Sequence, residues 1–239
     1  MTSALRQTLV RSNLVFYRIT DRCVRMEEGA DPPDRGAIGS TYNRIAPHFA
    51  QTRQAPWPEV ESFVRDAGDV NRALDLGCGN GRHLALLGEV ASDVIGIDLS
   101  RTLLRIARNH DTEAQTVQAD VVTLPLQTDS IDLAVYIATL HHLPTPAERQ
   151  ESLGEVVRVL QPGGKACISC WSVSHDKFDA TTGHDRWVDW TLPSGEVVPR
   201  FYHIFDLAEF TAMLEASTLT IESTFESAGN CFGIVRAPH

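Results

Sequence analysis

Asp75-Leu76-Gly77-Cys78-Gly79-Asn80-Gly81 completes the short apolar run that begins at Arg72 and precedes helical spacing through Leu87. An apolar run that stops on alternate glycines reads as a strand turning into a ligand-facing loop. Glycine lets the backbone approach a ligand closely and point its amides at it. The spacing here is G-x-G-x-G, not the G-x-G-x-x-G of dinucleotide sites, and no phosphate-binding lysine follows as in a P-loop.

Working outward, the same pattern repeats. Val94-Ile95-Gly96-Ile97 ends on Asp98, 21 residues beyond Gly77, and Thr116-Val117-Gln118-Ala119 ends on Asp120. Ile131 to Ala138 and Lys165 to Trp171 read as a fourth and a fifth strand. Helical segments lie between them. Leu103 to Arg108 is one, and Thr145-Pro146-Ala147-Glu148 is a capping box opening another. That second helix carries Leu153, Val156, Val157 and Leu160 at core-facing spacing, and Pro162-Gly163-Gly164 stops it. Strands alternating with helices predict βαβ units and a parallel sheet. Before them, Tyr42 to Asp66 reads as helical with a break at Pro56-Trp57-Pro58. After them, residues 173–203 read as an irregular insertion over the carboxyl edge of the sheet. Asp206 to Glu209 caps a last helix, and strands near Leu219 to Ser223 and Cys231 to Arg236 suit an antiparallel edge.

A carboxylate at Asp98 is placed to accept both hydroxyls of a ribose. Asp120 is placed to accept from an adenine amino group. A glycine loop and these two acids, ending three consecutive strands, describe a nucleoside crevice without a pyrophosphate, which fits S-adenosyl-L-methionine. The competing reading is a set of tight turns with solvated acids.

The 239 residues suit one large α/β domain, and 43% apolar against 22% charged residues supports a sizeable core. No run approaches the length of a membrane span, no secretory leader is evident, and five scattered cysteines suit reduced thiols. The expectation is a soluble, cytoplasmic protein. Net charge is −10, and the 21 basic residues include only two lysines, Lys165 and Lys177. Such a balance suits adaptation to molar salt or a GC-rich genome. It does not decide whether the partner is nucleic acid, because strong salt screens charge over a few ångströms. Residues 1–25 hold five arginines against one acid, Asp21, and a Pro/Gly-rich stretch follows Met26. Residues 1–40 therefore read as a basic, flexible extension ahead of a domain spanning 41–239. Translation starting at Met26 and a genuine basic arm are both open, and mass spectrometry of the native N-terminus separates them.

Asp75 to Gly81, Asp98, Asp120 and Leu160 to Gly164 resemble the class I S-adenosylmethionine-dependent methyltransferase pattern over about residues 70–172. The resemblance implies a Rossmann-like α/β fold. Its sheet has seven strands, mostly parallel with an antiparallel edge, and helices on both faces. It implies cofactor contacts at Asp75, Gly77, Cys78, Gly79, Asp98, Asp120, Val121 and Ala138. Three further segments are similar to the tRNA wobble-uridine carboxymethyl methyltransferases. These are Tyr42 to Phe49 with Thr52-Arg53 and Pro56-Trp57-Pro58, then Ile137 to His142, then Arg200 to Phe205, where Phe201 stands for a commoner tyrosine. Members of that family methylate the carboxylate of 5-carboxymethyluridine in the tRNA anticodon loop and pair with a small zinc-binding activator as a heterodimer.

The residue types suit that chemistry. A carboxylate nucleophile is already ionised near neutral pH, so no general base is required and positioning dominates. Arg53 and Arg200 are candidates to hold the substrate carboxylate or nearby phosphates, with His141 beside them. Trp57, Trp171 and Tyr202 are candidates to stack on an extruded uracil. His48 and His203 can donate to base edges or phosphate. Structural alternatives stand beside these roles: Trp57 between prolines can pin the leading helix, and Trp171 and Tyr202 can be core edges. One of His141 and His142 is expected to pack inward if their segment is extended. Asp176, Asp179, Asp185 and Asp189 read as a solvated face. Cys167 and Cys170, three apart on a strand, point to opposite sides of the sheet, and no second ligand pair exists, so no metal is expected in this chain. Cys78 reads as a small residue of the loop. The activator is expected to add to a sheet edge, with the strand around Thr116 to Ala119 as the candidate. A small-molecule methyltransferase, for instance of quinone biosynthesis, and a non-catalytic cofactor-binding protein remain alternatives.

Overall fold

The computed structural model describes residues 23–25, 33–109, 113–178 and 184–239. The expected basic arm ahead of Cys23, the Met26 start and Asp179 lie outside the described residues. Helix α1 (Arg35–Thr52) begins ahead of Tyr42, because the Asp34 side chain caps it by accepting from the Gly36 amide. Pro56-Trp57-Pro58 breaks the helix as expected, and α2 (Pro58–Ala67) restarts with proline in its first turn.

The central sheet contains β2 (Val70–Leu76), β3 (Ala91–Asp98), β4 (Gln115–Gln118), β5 (Ile131–Ile137), β6 (Leu160–Trp171), β9 (Thr220–Ser227) and β10 (Asn230–Arg236). Their order is β4-β3-β2-β5-β6-β10-β9; the first five run parallel, β10 runs antiparallel to both of its neighbours, and β9 at the edge therefore points the same way as the first five. The strand order reverses between β2 and β5, so a crevice opens above their carboxyl ends.

Alternate residues on each strand feed two apolar layers. Leu74, Tyr136 and Ile168 pack with Leu153 and Val156 of α5 (Pro146–Val159) and Phe210 and Leu214 of α6 (Leu207–Glu215). Ala73, Val135 and Cys167 pack on the other side with α2, with Leu84 and Leu87 of α3 (Leu84–Gly88), and with Leu104 of α4 (Arg101–Ala107). Cys167 and Cys170 fall in different layers, as the strand period requires. The capping box forms at Thr145 and Glu148.

Residues 184–203 are not irregular. β7 (Asp185–Thr191) and β8 (Val197–His203) form an antiparallel hairpin, extended by the short β1 (Cys23–Arg25) into a second sheet. Arg186, Val188 and Trp190 alternate inward with a strict period of two. Trp190 and Val198 pack on Ile45, Tyr42 and Phe49 of α1, so the hairpin and α1 together roof the crevice. Among the described residues, no helix is long and apolar enough to cross a membrane.

Candidate active site

One cavity of about 990 Å³ lies above the carboxyl ends of the central strands, and most of the expected residues meet in it. At one end are Gly77, Cys78, Gly79, Asp98, Val121 and Ala138; at the other are His141, Trp171, Arg200 and Tyr202, with Arg53 and Trp57 along the wall.

At the first end the loop geometry follows from glycine. Gly79 has φ of 55°, and a Cβ there would meet nothing closer than a Phe49 ring carbon at 4.0 Å, so bare backbone faces the cavity. Gly77, at φ of 71°, has Thr139 pressed so close that any side chain would collide with it. The Asp98 carboxylate accepts from the Gly79 amide at 2.8 Å and the Ser100 amide at 2.7 Å. Each of its oxygens therefore keeps capacity for one more donor. Burial pushes the Asp98 carboxyl up to about 6 against the pull of those two amides. Ala138 takes the left-handed region at φ of 51° and donates its amide to Ser169, lifting the chain out of the sheet toward the two histidines.

These residues fit S-adenosylmethionine. Asp98 offers acceptors for a ribose diol, and Gly79 leaves backbone open to an extended ligand. Asp75 adds a carboxylate only 1% exposed, whose oxygens have no hydrogen-bond partner among the described residues, although His83 Nδ1 stands 3.5 Å away. Such a group behind the Gly77–Gly79 wall favours a cationic ligand end. Two expected contacts lie apart from the cavity lining: Asp75 itself and Asp120. The Asp120 carboxylate accepts from the Val122 amide and from Arg35 Nε at 2.9 Å, so an ion pair turns it toward α1 while Val121 faces the cavity.

At the far end, Leu140–His142 is a single 3-10 turn and not an extended segment, so both histidines face inward. His142 Nδ1 donates to the Phe201 carbonyl and its Nε2 accepts from the Tyr42 hydroxyl. His141 Nδ1 accepts from the Trp171 amide at 2.9 Å, which puts its proton on Nε2, a buried atom without a partner among the described residues. Burial, reinforced by neighbouring positive groups including Arg200, holds both rings neutral. His141 lies well below the ordinary histidine range and His142 at about 3. Arg200 is buried, donates to the Tyr202 hydroxyl at 2.5 Å and lies over the Trp190 ring. Trp171 and Tyr202 stack on each other, 4.4 Å apart and 9° from parallel.

Arg53 packs as well as lining the cavity. Its guanidinium lies over Phe49 and Trp190, and its carbonyl accepts from Asn80 of the glycine loop at 2.7 Å. Trp57 carries Arg82 over its ring at 4.8 Å. Two expected substrate residues lie outside the cavity lining. His48 packs edge-on against Trp190, and His203 is held between Asp185 and Glu209. His203 follows Tyr202 on a strand, so its side chain points the opposite way. Asp185 is thus an ion-pair partner, and Asp176 lines the cavity, rather than both forming a solvated face. Two cations of the cavity wall were given no role in the sequence reading: Arg82 and Lys177. Arg82 follows Gly81 directly, and that position in the loop was the available signal.

Residues 74–168 match the family model described as a methyltransferase domain. The chain is 34% identical to the tRNA (carboxymethyluridine(34)-5-O)-methyltransferase of Saccharomyces cerevisiae over 68% of this chain and 59% of that protein. With the Arabidopsis thaliana protein of the same name it shares 39% identity over 61% of this chain and 35% of that one. It thus spans about three fifths and one third of their respective lengths. The CcbJ methyltransferase of Streptomyces caelestis superposes with a TM-score of 0.70 at 17% identity, over 87% of this chain and 100% of that one. A chain from the complex between the Haloferax volcanii Trm112 methyltransferase activator and a methyltransferase gives 0.63 at 16% identity, over 83% and 98%.

Residues 74–168 thus match a methyltransferase domain, set on the mostly parallel sheet that the CcbJ methyltransferase shares. Among methyltransferases the chain resembles the tRNA (carboxymethyluridine(34)-5-O)-methyltransferase family.

Proposed function

We propose that the protein esterifies the carboxylate of 5-carboxymethyluridine at the wobble position of tRNA, with S-adenosylmethionine as methyl donor. One observation carries this reading: a single cavity joins the Gly79–Asp98 end to a cationic, aromatic end built from Arg200, Tyr202, Trp171 and His141. In a chain of net charge −10, four side chains of the cavity wall are cations, Arg53, Arg82, Lys177 and Arg200, against three carboxylates, Glu59, Asp98 and Asp176, of which Asp98 sits at the cofactor end. That concentration suits an anionic substrate.

Asp98 holds the ribose, the Gly77–Gly79 backbone the methionine part, and Val121 and Ala138 the adenine surroundings. When bound, the cofactor supplies an electrophilic methyl carbon on a sulfonium. Arg200, oriented by the rings of Trp190 and Tyr202, holds the substrate carboxylate. His141 gives a neutral N–H donor that neither protonates the carboxylate nor removes a proton. With the nucleophile already ionised, this site without a titrating base is sufficient. Because Trp171 and Tyr202 stack on each other, a base stacks on an outer face of the pair and not between them. Arg53, Arg82 and Lys177 are near enough to the cavity wall to meet phosphates.

The partner reading is the small zinc-binding activator, docked on β4. That strand is one of the two edges of the sheet and has half-buried Thr116 and Val117. The neighbour from Haloferax volcanii is a chain of a complex with the Trm112 methyltransferase activator. The test is methyl transfer to tRNA carrying carboxymethyluridine, using the chain alone and co-purified with the activator. Transfer is expected to rise strongly with the activator and to be absent from tRNA with unmodified wobble uridine. Equal transfer to both tRNAs would reject the substrate assignment. We place this work in the cytoplasm.

The pH dependence follows from Asp98. Its ionised form accepts the ribose hydroxyls, so protonation weakens cofactor binding. Calorimetry is expected to show S-adenosylmethionine affinity constant above about pH 7 and falling about tenfold per unit below about pH 6. The unliganded protein has the opposite sign. A folded value raised from 3.8 to about 6 contributes stability that is complete below 3.8 and lost as pH rises through 6.

A further inference from the structure

Away from the cavity, three metal-ligating side chains converge where the β7–β8 hairpin meets α6. His184 precedes β7, His203 ends β8 and Glu209 lies in the first turn of α6. One donor atom of each lies within 4.8 Å of the others. His203 is buried, and the other two are half-buried.

Both rings are oriented from behind. His184 Nδ1 lies 2.6 Å from the Ile204 carbonyl oxygen, and His203 Nδ1 lies 2.6 Å from Asp185 Oδ1. A carbonyl and a carboxylate only accept, so both Nδ1 atoms carry protons and the lone pairs of the neutral rings sit on Nε2. Pinning Nδ1–H to a carbonyl or carboxylate is how proteins present Nε2 to a metal. His203 Nε2 in turn stands 2.7 Å from Glu209 Oε1, and Glu209 Oε2 lies 2.9 Å from His184 Nδ1. A lone pair and a carboxylate oxygen do not face each other so closely without positive charge between them. Either a second proton on His203 or a metal ion supplies it. The rings lie 5.6 Å apart and 22° from parallel, with the carboxylate reaching both. Arg149 faces the cluster as well; it donates to the Leu143 and Pro144 carbonyls and interacts with Asp185 and Glu209, offsetting part of their charge.

We propose that His184, His203 and Glu209 bind a divalent transition-metal ion of the zinc type, with Asp185 orienting His203. Two imidazole nitrogens and a carboxylate oxygen suit zinc, whereas calcium and magnesium favour all-oxygen sets. Metal bonds of about 2.0–2.2 Å place tetrahedral donors about 3.3 Å apart. On loading, Glu209 therefore draws back about half an ångström from His203 Nε2, and the His184 ring, whose Nδ1 edge faces Glu209, shifts to bring its Nε2 to the ion. The ion ties the end of β8 to α6, on the strand that also carries Arg200 and Tyr202. The sequence pattern hid this site because its donors come from three separate elements, whereas Cys167 and Cys170 drew attention by their spacing.

The test uses this chain expressed without any zinc-binding partner, stripped with chelator and dialysed against zinc. Elemental analysis is expected to find about one zinc per chain. With free zinc a hundredfold above Kd, the melting temperature is expected to rise by roughly 5–10 °C. Glu209→Gln, which keeps the side chain's shape, and His184→Ala should each weaken binding at least tenfold. Cobalt loading should give no thiolate-to-cobalt charge-transfer band, because the buried cysteines are not donors. Absence of zinc uptake, equal uptake by wild type and Glu209→Gln, or a thiolate band on cobalt would each overturn the proposal. In the first case His203 is an imidazolium clamped between two carboxylates.

Discussion

Arg200→Ala is expected to lower kcat/KM for carboxymethyluridine-bearing tRNA by a hundredfold or more, while calorimetry shows S-adenosylmethionine binding within about threefold of wild type. The guanidinium is buried, bonded to the Tyr202 hydroxyl and stacked over Trp190, so it is held in place before substrate arrives. Its removal takes away the charge proposed to position the carboxylate and also frees the Tyr202 hydroxyl. Arg200→Lys keeps the charge but loses the planar fork, and its rate should fall between the two. Tyr202→Phe separates the effects, because it leaves the guanidinium in place and removes only the hydroxyl that orients it. If Arg200→Ala and Arg200→Lys both retain wild-type rates, the carboxylate is held elsewhere and the late motif is structural.

Asp98→Ala is expected to act at the opposite end, weakening S-adenosylmethionine binding ten- to a hundredfold. A hydrogen bond to a charged group is worth about 1.5–3 kcal/mol. Part of the loss comes from the loop, since the Gly79 and Ser100 amides lose their acceptor. Asp98→Asn retains one acceptor oxygen for these amides, and its affinity should no longer depend on pH around 6. Unchanged cofactor binding in Asp98→Ala would remove Asp98 from the site.

The parallel core was legible because each strand is an apolar run that ends on a loop or an acid. Leu76, Ile97 and Ile137 are fully or nearly fully buried at those ends. The antiparallel edge was legible for the same reason. The hairpin of residues 184–203 was not, because Asp185, Trp187 and Asp189 interleave with the inward Arg186, Val188 and Trp190. Two of its core-facing positions hold Arg186 and Arg200, which composition alone assigns to solvent. Tertiary packing against α1 decides that hairpin, and no local rule carries it.

The site was legible by motif at Asp98, Gly79 and Arg200, and less so wherever a neighbour redirects a side chain. Arg35 lies on α1, 85 positions before Asp120, yet it takes that carboxylate. Asp185 and Glu209 take His203, and Trp190 takes His48. Lys177 stood out in the sequence only by rarity and lies near the Trp171 ring at the cavity. The tautomer of His141 depends on the Trp171 amide, a contact across 30 residues that no spacing encodes.

The proposed product is a methyl ester on one carboxylate of one nucleoside. Its most direct test is mass spectrometry of nucleosides from carboxymethyluridine-bearing tRNA after incubation with the protein, its activator and S-adenosylmethionine. The wobble nucleoside is expected to become heavier by one methylene, and mild alkali, which cleaves esters, to restore the original mass. A methylated product that survives alkali, or a methyl group on any other nucleoside with the wobble carboxylate untouched, would contradict it.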